Sequence, residues 1–578
     1  MASIQVAETD GIVSISTPTY SLTFALDRPF VYVHDVAGTR LAELFVLSSI
    51  HALHDRDDTL SSGAWEIQST PTETICSLRA QSSVWDEKIY RFRCQPHRFR
   101  YEIQISGHGR LAEVNYFGGY NSSLPRWGSG WFRSGQHFKQ GFNPEPNTDE
   151  RNYFASGGSA RIDLMGVPLP GKGDWFFTPP PFCFAFEGAH GWIALGVEAP
   201  PGTQHFTEYW YHGGPGFHLS LAYEGHTAVD GEYELPAIGF DVGADEYQAL
   251  AAHVAAVRQT LGPTSPPPTP PAWWYEPIFC GWGSQCAVAA AERGHAPHYA
   301  CQSRYDSFLA TLAANDVDPG IVVIDDKWQA TYGENQADPH KWPDLRGFIA
   351  EQHALGRKVL LWLKAWDAEG LPAAECITNA AGRALAFDPS NPAFEQRLRR
   401  SVQQMLGAAG YDADGFKIDF TARIPSGPGM SSHGGLWGLE LMKRYLAIIY
   451  SEAKRAKPDA LIMTHTPHPY LADVVDMIRL NDAFDLNRLA EGVGRRLAET
   501  MALRAKVAAI ACPNAIIDTD NWPIRDLADW RDYLEFQPEL GVPSLYFASH
   551  IDLTQEPLDA SDYQRIRDSW TRHRGRSR

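Results

Sequence analysis

No stretch of this 578-residue chain approaches the roughly 20 consecutive apolar residues that cross a bilayer as a helix. No leader is expected in the opening residues either: the first basic residue is Arg28, and Glu8 and Asp10 interrupt any apolar run. Cysteine is sparse, eight residues in no regular spacing, which reads as reduced buried thiols rather than a disulfide framework. Positive charge is in short supply. Fifty Lys and Arg face 69 Asp and Glu, a formal charge of −19 that repels phosphate and argues against nucleic acid and membrane as partners. The basic stretch at 572–578 is too short to reverse this. No P-loop occurs, no glycine-rich dinucleotide fingerprint follows a strand, and no internal repeat is present. The expectation is a globular, cytoplasmic protein with no metal or organic cofactor, and a homo-oligomer is left open.

Aromatic residues are plentiful, with 18 Trp, 23 Tyr and 28 Phe. Trp127, Trp131, Trp175 and Trp210 stand in Gly- and Pro-rich context rather than in regular apolar stripes. Core and loop packing explains any one of them. Together they also suit a protein that stacks flat rings against the C–H faces of sugars.

The chain divides at residues 262–271, GPTSPPPTPP, whose six prolines exclude helix and interior strand. Before it, short alternating runs at 21–26, 90–94, 98–106, 191–199 and 217–225 fit half-buried antiparallel strands. An amphipathic segment at 245–261 predicts a closing helix. Residues 1–262 therefore read as a large β-sandwich, 263–274 as a linker and 275–578 as a second domain. In that second part eight apolar runs, at 277–283, 321–326, 358–366, 415–420, 461–466, 475–482, 509–518 and 542–550, interleave with amphipathic segments. Those segments lie at 305–316, 348–356, 393–410, 438–456, 486–505 and 561–570. The alternation predicts a (β/α)8 TIM barrel, with a doubly wound open sheet as the second choice.

In such a barrel the chemistry belongs at the C-terminal strand ends. Those ends read Asp325-Asp326-Lys327-Trp328, Trp362-Leu363-Lys364, Lys417-Ile418-Asp419, Arg479-Leu480-Asn481-Asp482 and Asp518-Thr519-Asp520-Asn521-Trp522, with His465 and His468 after strand 5. One such Asp is more often a helix N-cap. Acids at four of eight ends exceed what capping requires. His465 and His468 make an incomplete metal pair and read better as sugar hydrogen-bonding or loop residues.

The runs IDDKWQ, FKIDF and RLND, in this order on strands 2, 4 and 6, resemble the retaining α-glycosidases of glycoside hydrolase clan D. The family 36 α-galactosidase and raffinose-synthase group is the nearest match, and family 31 the second. The resemblance covers roughly residues 275–575, and the N-terminal β-sandwich also looks like that family's. It implies Asp419 as nucleophile and Asp482 as acid/base, with Asp325, Asp326 and Trp328 lining the sugar pocket and Lys417 and Arg479 hydrogen-bonding the sugar. Trp282, Trp362, Lys364 and His465, at the ends of strands 1, 3 and 5, complete the candidate substrate-binding set. The implied partner is an oligosaccharide or glycoside.

The chemistry needs these residue types. Retention uses two carboxyl groups about 5–5.5 Å apart, one ionised to attack and one protonated to assist departure. Lys417 shares a strand face with Asp419 and should favour its ionised form. Arg479 would strip the proton from Asp482 on contact, so it is expected to face the sugar instead. An adjacent Asp pair suits neighbouring or axial hydroxyls, which makes an α-galactoside the first choice. An α-glucosidase, an α-xylosidase or a transglycosylase is the second reading, and a catalytically inactive carbohydrate-binding protein the third. The sequence departs from the family pattern at Trp362-Leu363-Lys364, at His465-Thr466-Pro467-His468 and at Ala483. Asp485 is the rival for the acid role.

Overall fold

The computed structural model describes residues 4–122, 129–144, 152–164, 179–262, 269–482 and 497–576. Trp127, Trp175, Asp485, residues 263–268 and the first part of the 486–505 segment lie outside them.

The N-terminal part is a pair of packed sheets. Five strands, Gln5–Thr9, Ile12–Ser16, Tyr20–Ala25, Phe30–Asp35 and Arg40–Phe45, pair antiparallel in chain order. They face a larger sheet built around Glu87–Cys94, Arg98–Tyr116 and His218–Glu234. Along Glu87–Cys94 every second residue is buried, the alternation expected of a strand with one face in the core. Rings join the two sheets: Tyr20 meets Phe99 at 5.0 Å and Phe24 meets Phe92 edge-on at 5.5 Å. The helix predicted at 245–261 forms at Glu246–Leu261, and Asp245 caps it by accepting from the Gln248 N–H.

Eight parallel strands follow: β1 Ile278–Cys280, β2 Ile321–Ile324, β3 Lys358–Lys364, β4 Gly415–Asp419, β5 Leu461–Thr464, β6 Met477–Arg479, β7 Ile516–Asp518 and β8 Ser544–Leu545. Their order is β7-β6-β5-β4-β3-β2-β1-β8, and a parallel bridge between Asp518 and Val542 joins the two ends. The result is a nearly closed TIM-type barrel behind a β-sandwich. Each of the eight strand runs predicted for the barrel contains its observed strand, but the observed strands are shorter. In the 509–518 run only Ile516–Asp518 is strand; its first residues end the helix Leu497–Ala511, because alanine favours helix and Pro513 then stops it.

One position breaks the alternation. Between β5 and β6 there is only a single 3-10 turn, Pro469–Leu471. The sandwich's helix Glu246–Leu261 packs there, against that turn and against Leu497–Ala511. The ring of helices around the barrel is thus completed by the other half of the chain. Beyond the linker, Trp274 is buried and its Nε1 donates to the Asp459 carbonyl, so chain after Pro271 already belongs to the barrel's packing. Among the described residues no helix is long and apolar enough to cross a membrane.

Candidate active site

Strand alternation points Lys417 and Asp419 of β4 to the same, inner side, and the twist of a barrel brings neighbouring strand ends toward one axis. Charges buried there must be paired, and they are, in an alternating chain. Asp325 Oδ2, just past β2, accepts from Lys417 Nζ at 3.0 Å. Lys417 Nζ lies 3.3 Å from Asp520 Oδ2, past β7. Asp520 Oδ1 accepts from Arg479 Nη2 of β6 at 2.8 Å. Arg479 Nη1 lies 3.2 Å from Asp419 Oδ1. Two more strand ends close the floor. The Cys280 thiol of β1 donates to Asp325 Oδ2 at 3.0 Å, and Tyr546 past β8 accepts from Lys417 Nζ at 3.0 Å while donating to Asp520.

Above this floor sit two partly exposed carboxyl groups in opposite electrostatic settings. Asp419 accepts from Trp362 Nε1 at 3.2 Å and from the Phe420 N–H at 2.9 Å, and His465 Nε2 lies 3.5 Å away. Burial alone would raise its pKa, but Arg479, His465 and Lys417 outweigh that and hold it well below the ordinary carboxylate range. Asp482 accepts from the Trp522 N–H at 3.1 Å. Its backbone is clasped by Arg504, whose Nη1 donates to the carbonyls of Leu480, Asn481 and Asp482. Burial pushes Asp482 up to about 7; Arg479 opposes this, and the negative charges of Asp520 and Asp419 add to it. Each carboxylate is flanked by a residue in the left-handed region, Phe420 at φ 59° and Asn481 at φ 60°. Asn takes that conformation readily, but a bulky Phe rarely does, so the surrounding packing must hold Phe420.

The rim has two sides. Beside Asp482, Trp282 and Trp522 meet edge to face at 5.7 Å, and Trp522 Nε1 donates to Asp552. On the other side Asp326 is partly exposed and accepts from the Tyr332 hydroxyl at 2.7 Å. Burial raises Asp326 to about 6, against the Tyr332 hydrogen bond. Lys327 and Lys364 stand 4.2 and 4.1 Å from the centre of the Tyr332 ring, and Lys364 is also paired with Asp367.

Several sequence expectations change here. Trp328 does not line the pocket. It is wholly buried, edge-on to Tyr411, and its indole donates to the Trp362 carbonyl, because the chain turns behind the barrel wall after Asp326. Asp325 is 3% exposed and committed to Lys417 and Cys280, so the Asp pair is split between floor and rim. Lys417 and Arg479 are 2% and 1% exposed and lie in the floor rather than toward a sugar. Arg479, not Lys417, is the leading cation on Asp419. Trp362 and His465 are likewise buried and turned to Asp419. Asp326, Lys364 and Trp282 stay at the accessible rim. His468 is turned away from His465, with its Nδ1 accepting from the Tyr470 N–H and its ring against Phe182.

Reasoning from sequence missed Tyr546, Cys280, Tyr332 and Arg504, and placed Asp520 at a strand end without a role. Asp520 had a usable signal, since it follows Asp518 by two and so shares its inward face. Arg504 had none, because it reaches the site from a helix. Among the described residues one group of metal-ligating type comes together, Glu198, Asp241 and His253, in the sandwich. Arg98 pairs with both of its acids, so a guanidinium already meets that charge.

No protein-family model matches the chain, and no curated protein sequence does. Solved structures are similar. A family 31 sulfoquinovosidase from E. rectale, in complex with an aza-sugar inhibitor, aligns over 99% of this chain and 83% of its own, with TM-score 0.59 and 10% identity. A family 31 α-xylosidase from a soil metagenome, complexed with xylose, aligns over 99% and 76%, with TM-score 0.53 and 11% identity. An α-galactosidase from Thermus thermophilus, complexed with stachyose, aligns over 88% and 99%, with TM-score 0.51 and 13% identity. The family 31 structures are the stronger matches of these. At these identities the likeness is one of fold: a β-sandwich followed by a TIM-type barrel.

Proposed function

We propose that this chain is a retaining α-glycosidase in which Asp419 is the nucleophile and Asp482 the acid/base. One observation carries the reading. Two carboxyl groups at the ends of β4 and β6 share one site, one held ionised by Arg479 and the other pushed up to about 7. Double displacement needs this division of labour. Asp482 gives its proton to the glycosidic oxygen as Asp419 attacks the anomeric carbon, and the leaving group departs. Asp482, now a carboxylate, takes a proton from water; that water attacks the same carbon and frees Asp419. Two inversions return the starting configuration. The similar structures bear the names of α-glycosidases, which supports the class.

The sugar is less narrowly defined than the class. The α-galactoside preference rested on two adjacent Asp side chains, and only Asp326 remains at the rim. The similar structures carry the names sulfoquinovosidase, dextranase, α-xylosidase and α-galactosidase. We therefore place α-glucosides and α-xylosides beside α-galactosides, with Asp326, Lys364 and Trp282 as the groups that choose among them.

A panel of aryl α-glycosides, followed by proton NMR from the first turnover, tests this. The α-anomer should form first. A β-anomer first would remove the nucleophile role from Asp419. No turnover on any member would favour a carbohydrate-binding protein without catalysis.

A further inference from the structure

Asp520 has no part in the double displacement, and at 1% exposure it cannot touch a sugar. Yet it is central to the floor. Its Oδ1 accepts from Arg479 Nη2 at 2.8 Å, and its Oδ2 faces Lys417 Nζ at 3.3 Å and accepts from the Tyr546 hydroxyl. Two residues further on, the Trp522 N–H donates to Asp482 Oδ1 at 3.1 Å. One short segment therefore grips Arg479 with a side chain and Asp482 with its backbone.

Resting on the glycosidase reading, we propose that Asp520 is a positioning residue: it locks Arg479 against Asp419 and sets its own negative charge where it favours the acid form of Asp482. The need for such a lock follows from Arg479 itself. Its guanidinium acts on both carboxyl groups, to the benefit of Asp419 and the detriment of Asp482. Turned toward Asp482, it would strip the proton the first step requires. A second anchor on Nη2 prevents that turn, and an anion near Asp482 offsets what remains of the guanidinium's effect.

The charged and titratable groups around each member are these. Asp482 faces Arg479 from β6, Asp419 from β4, Asp520 from beyond β7, the Tyr546 hydroxyl from beyond β8 and the Cys286 thiol from the helix after β1. Asp520 faces Arg479, Lys417, Tyr546, Asp482, the Cys280 thiol of β1, the Tyr533 hydroxyl and, one layer below, Asp518. Asp419 faces Arg479, Lys417, His465 from β5, Asp326 from beyond β2 and Arg423. Among these, removing the Asp520 charge withdraws a direct opponent of Asp482 ionisation.

The test is the pH profile of kcat/KM on an α-glycoside with a poor, weakly acidic leaving group, whose departure needs the Asp482 proton, so that the profile reports the free enzyme's two groups. The unaltered protein should give a bell. Asp520→Asn keeps an oxygen for Arg479 but loses the charge, so the basic limb should move to lower pH by about half a unit or more, with KM little changed. Asp520→Glu keeps both the charge and a carboxylate acceptor for Arg479, so the basic limb should stay at the parent's position. A basic limb unmoved in an active Asp520→Asn variant overturns the proposal, and so does an equal shift in both variants. If circular dichroism shows that Asp520→Asn does not fold, the Asp520→Glu limb decides alone, and a shift from the parent position overturns the role. An unaltered protein inactive on every substrate would overturn both this role and the glycosidase reading. A missing shift in an active enzyme removes this role only.

Discussion

At the scale of single residues, the site separates groups that would meet the sugar from groups that tune them. Asp326 is the acid left at the rim. Asp326→Asn should leave Tyr332 and a sugar hydroxyl poorly matched, costing about 1–3 kcal/mol at the transition state. In kinetics that is a drop in kcat/KM of roughly 5- to 150-fold with the fold intact. Unchanged kinetics would make Asp326 a structural partner of Tyr332 and nothing more. The catalytic pair can be separated by leaving group. Asp482→Ala should still be glycosylated by a substrate with an acidic phenol, while alkyl glycosides stay almost inert, and azide should rescue turnover as the α-glycosyl azide. Asp419→Ala should fail with every leaving group, and azide should give the β-azide by direct attack. Leaving-group dependence in Asp485→Ala rather than in Asp482→Ala would move the acid role three residues along the chain.

At the scale of elements, the sandwich sheet stores a titratable ladder. His212 and His218 are cross-strand partners, stacked at 4.3 Å and 4° between their planes, with Trp210 continuing the stack and Trp131 edge-on to His218. Burial, with His212 and Arg133 nearby, pushes His218 down from 6.5 to about 3. Between those values the unfolded chain binds a proton that the folded sheet refuses. Stability from this residue is therefore complete above pH 6.5 and drains as pH falls, by roughly 1.4 kcal/mol per unit. His218→Phe keeps a ring of similar shape and cannot titrate. Its melting temperature should fall less than the parent's between pH 6.5 and 4.5, and parallel curves would refute the account. The same ladder shows how far sequence reading reaches. Alternation places His218 on a strand, but only register makes it the neighbour of His212.

At the scale of the whole molecule, the two halves are joined by more than a proline-rich stretch. The buried Glu440, in the first turn of the helix Gly438–Ala456, accepts from the backbone N–H groups of Gly202 and Gln204 and from the Tyr470 hydroxyl. Nearby, His226 of the sandwich stacks on Trp437 at 3.9 Å and accepts from the Gly427 N–H. Glu440→Ala would orphan three donors at once. We expect a loss on the order of 2–4 kcal/mol, read as a lowered calorimetric melting temperature. An unaltered melt would mean that this docking contributes nothing to stability.

The sequence by itself determined the order of the architecture and put the two carboxylates of the proposed pair at strand ends. Strand and helix periodicities are local, and a break of six prolines in ten residues is local too. Asp419 and Asp482 were legible because a barrel exposes its strand ends in a fixed sense, so an acid at the end of a short apolar run already has an address. The tertiary structure decided everything that depends on which side chain meets which across the barrel axis. Lys417 and Arg479 looked alike from sequence, as cations two and three residues from an acid. Yet Lys417 is bound mainly to Asp325 and Asp520, while Arg479 governs Asp419. Trp328 shared a motif with Asp326 and ended behind the wall. The helix that packs at the short turn between β5 and β6 came from the sandwich. The physical reason is common to all three: periodicity fixes the face a residue takes, whereas burial, charge pairing and packing partner depend on contacts across tens to hundreds of residues, which no local pattern encodes.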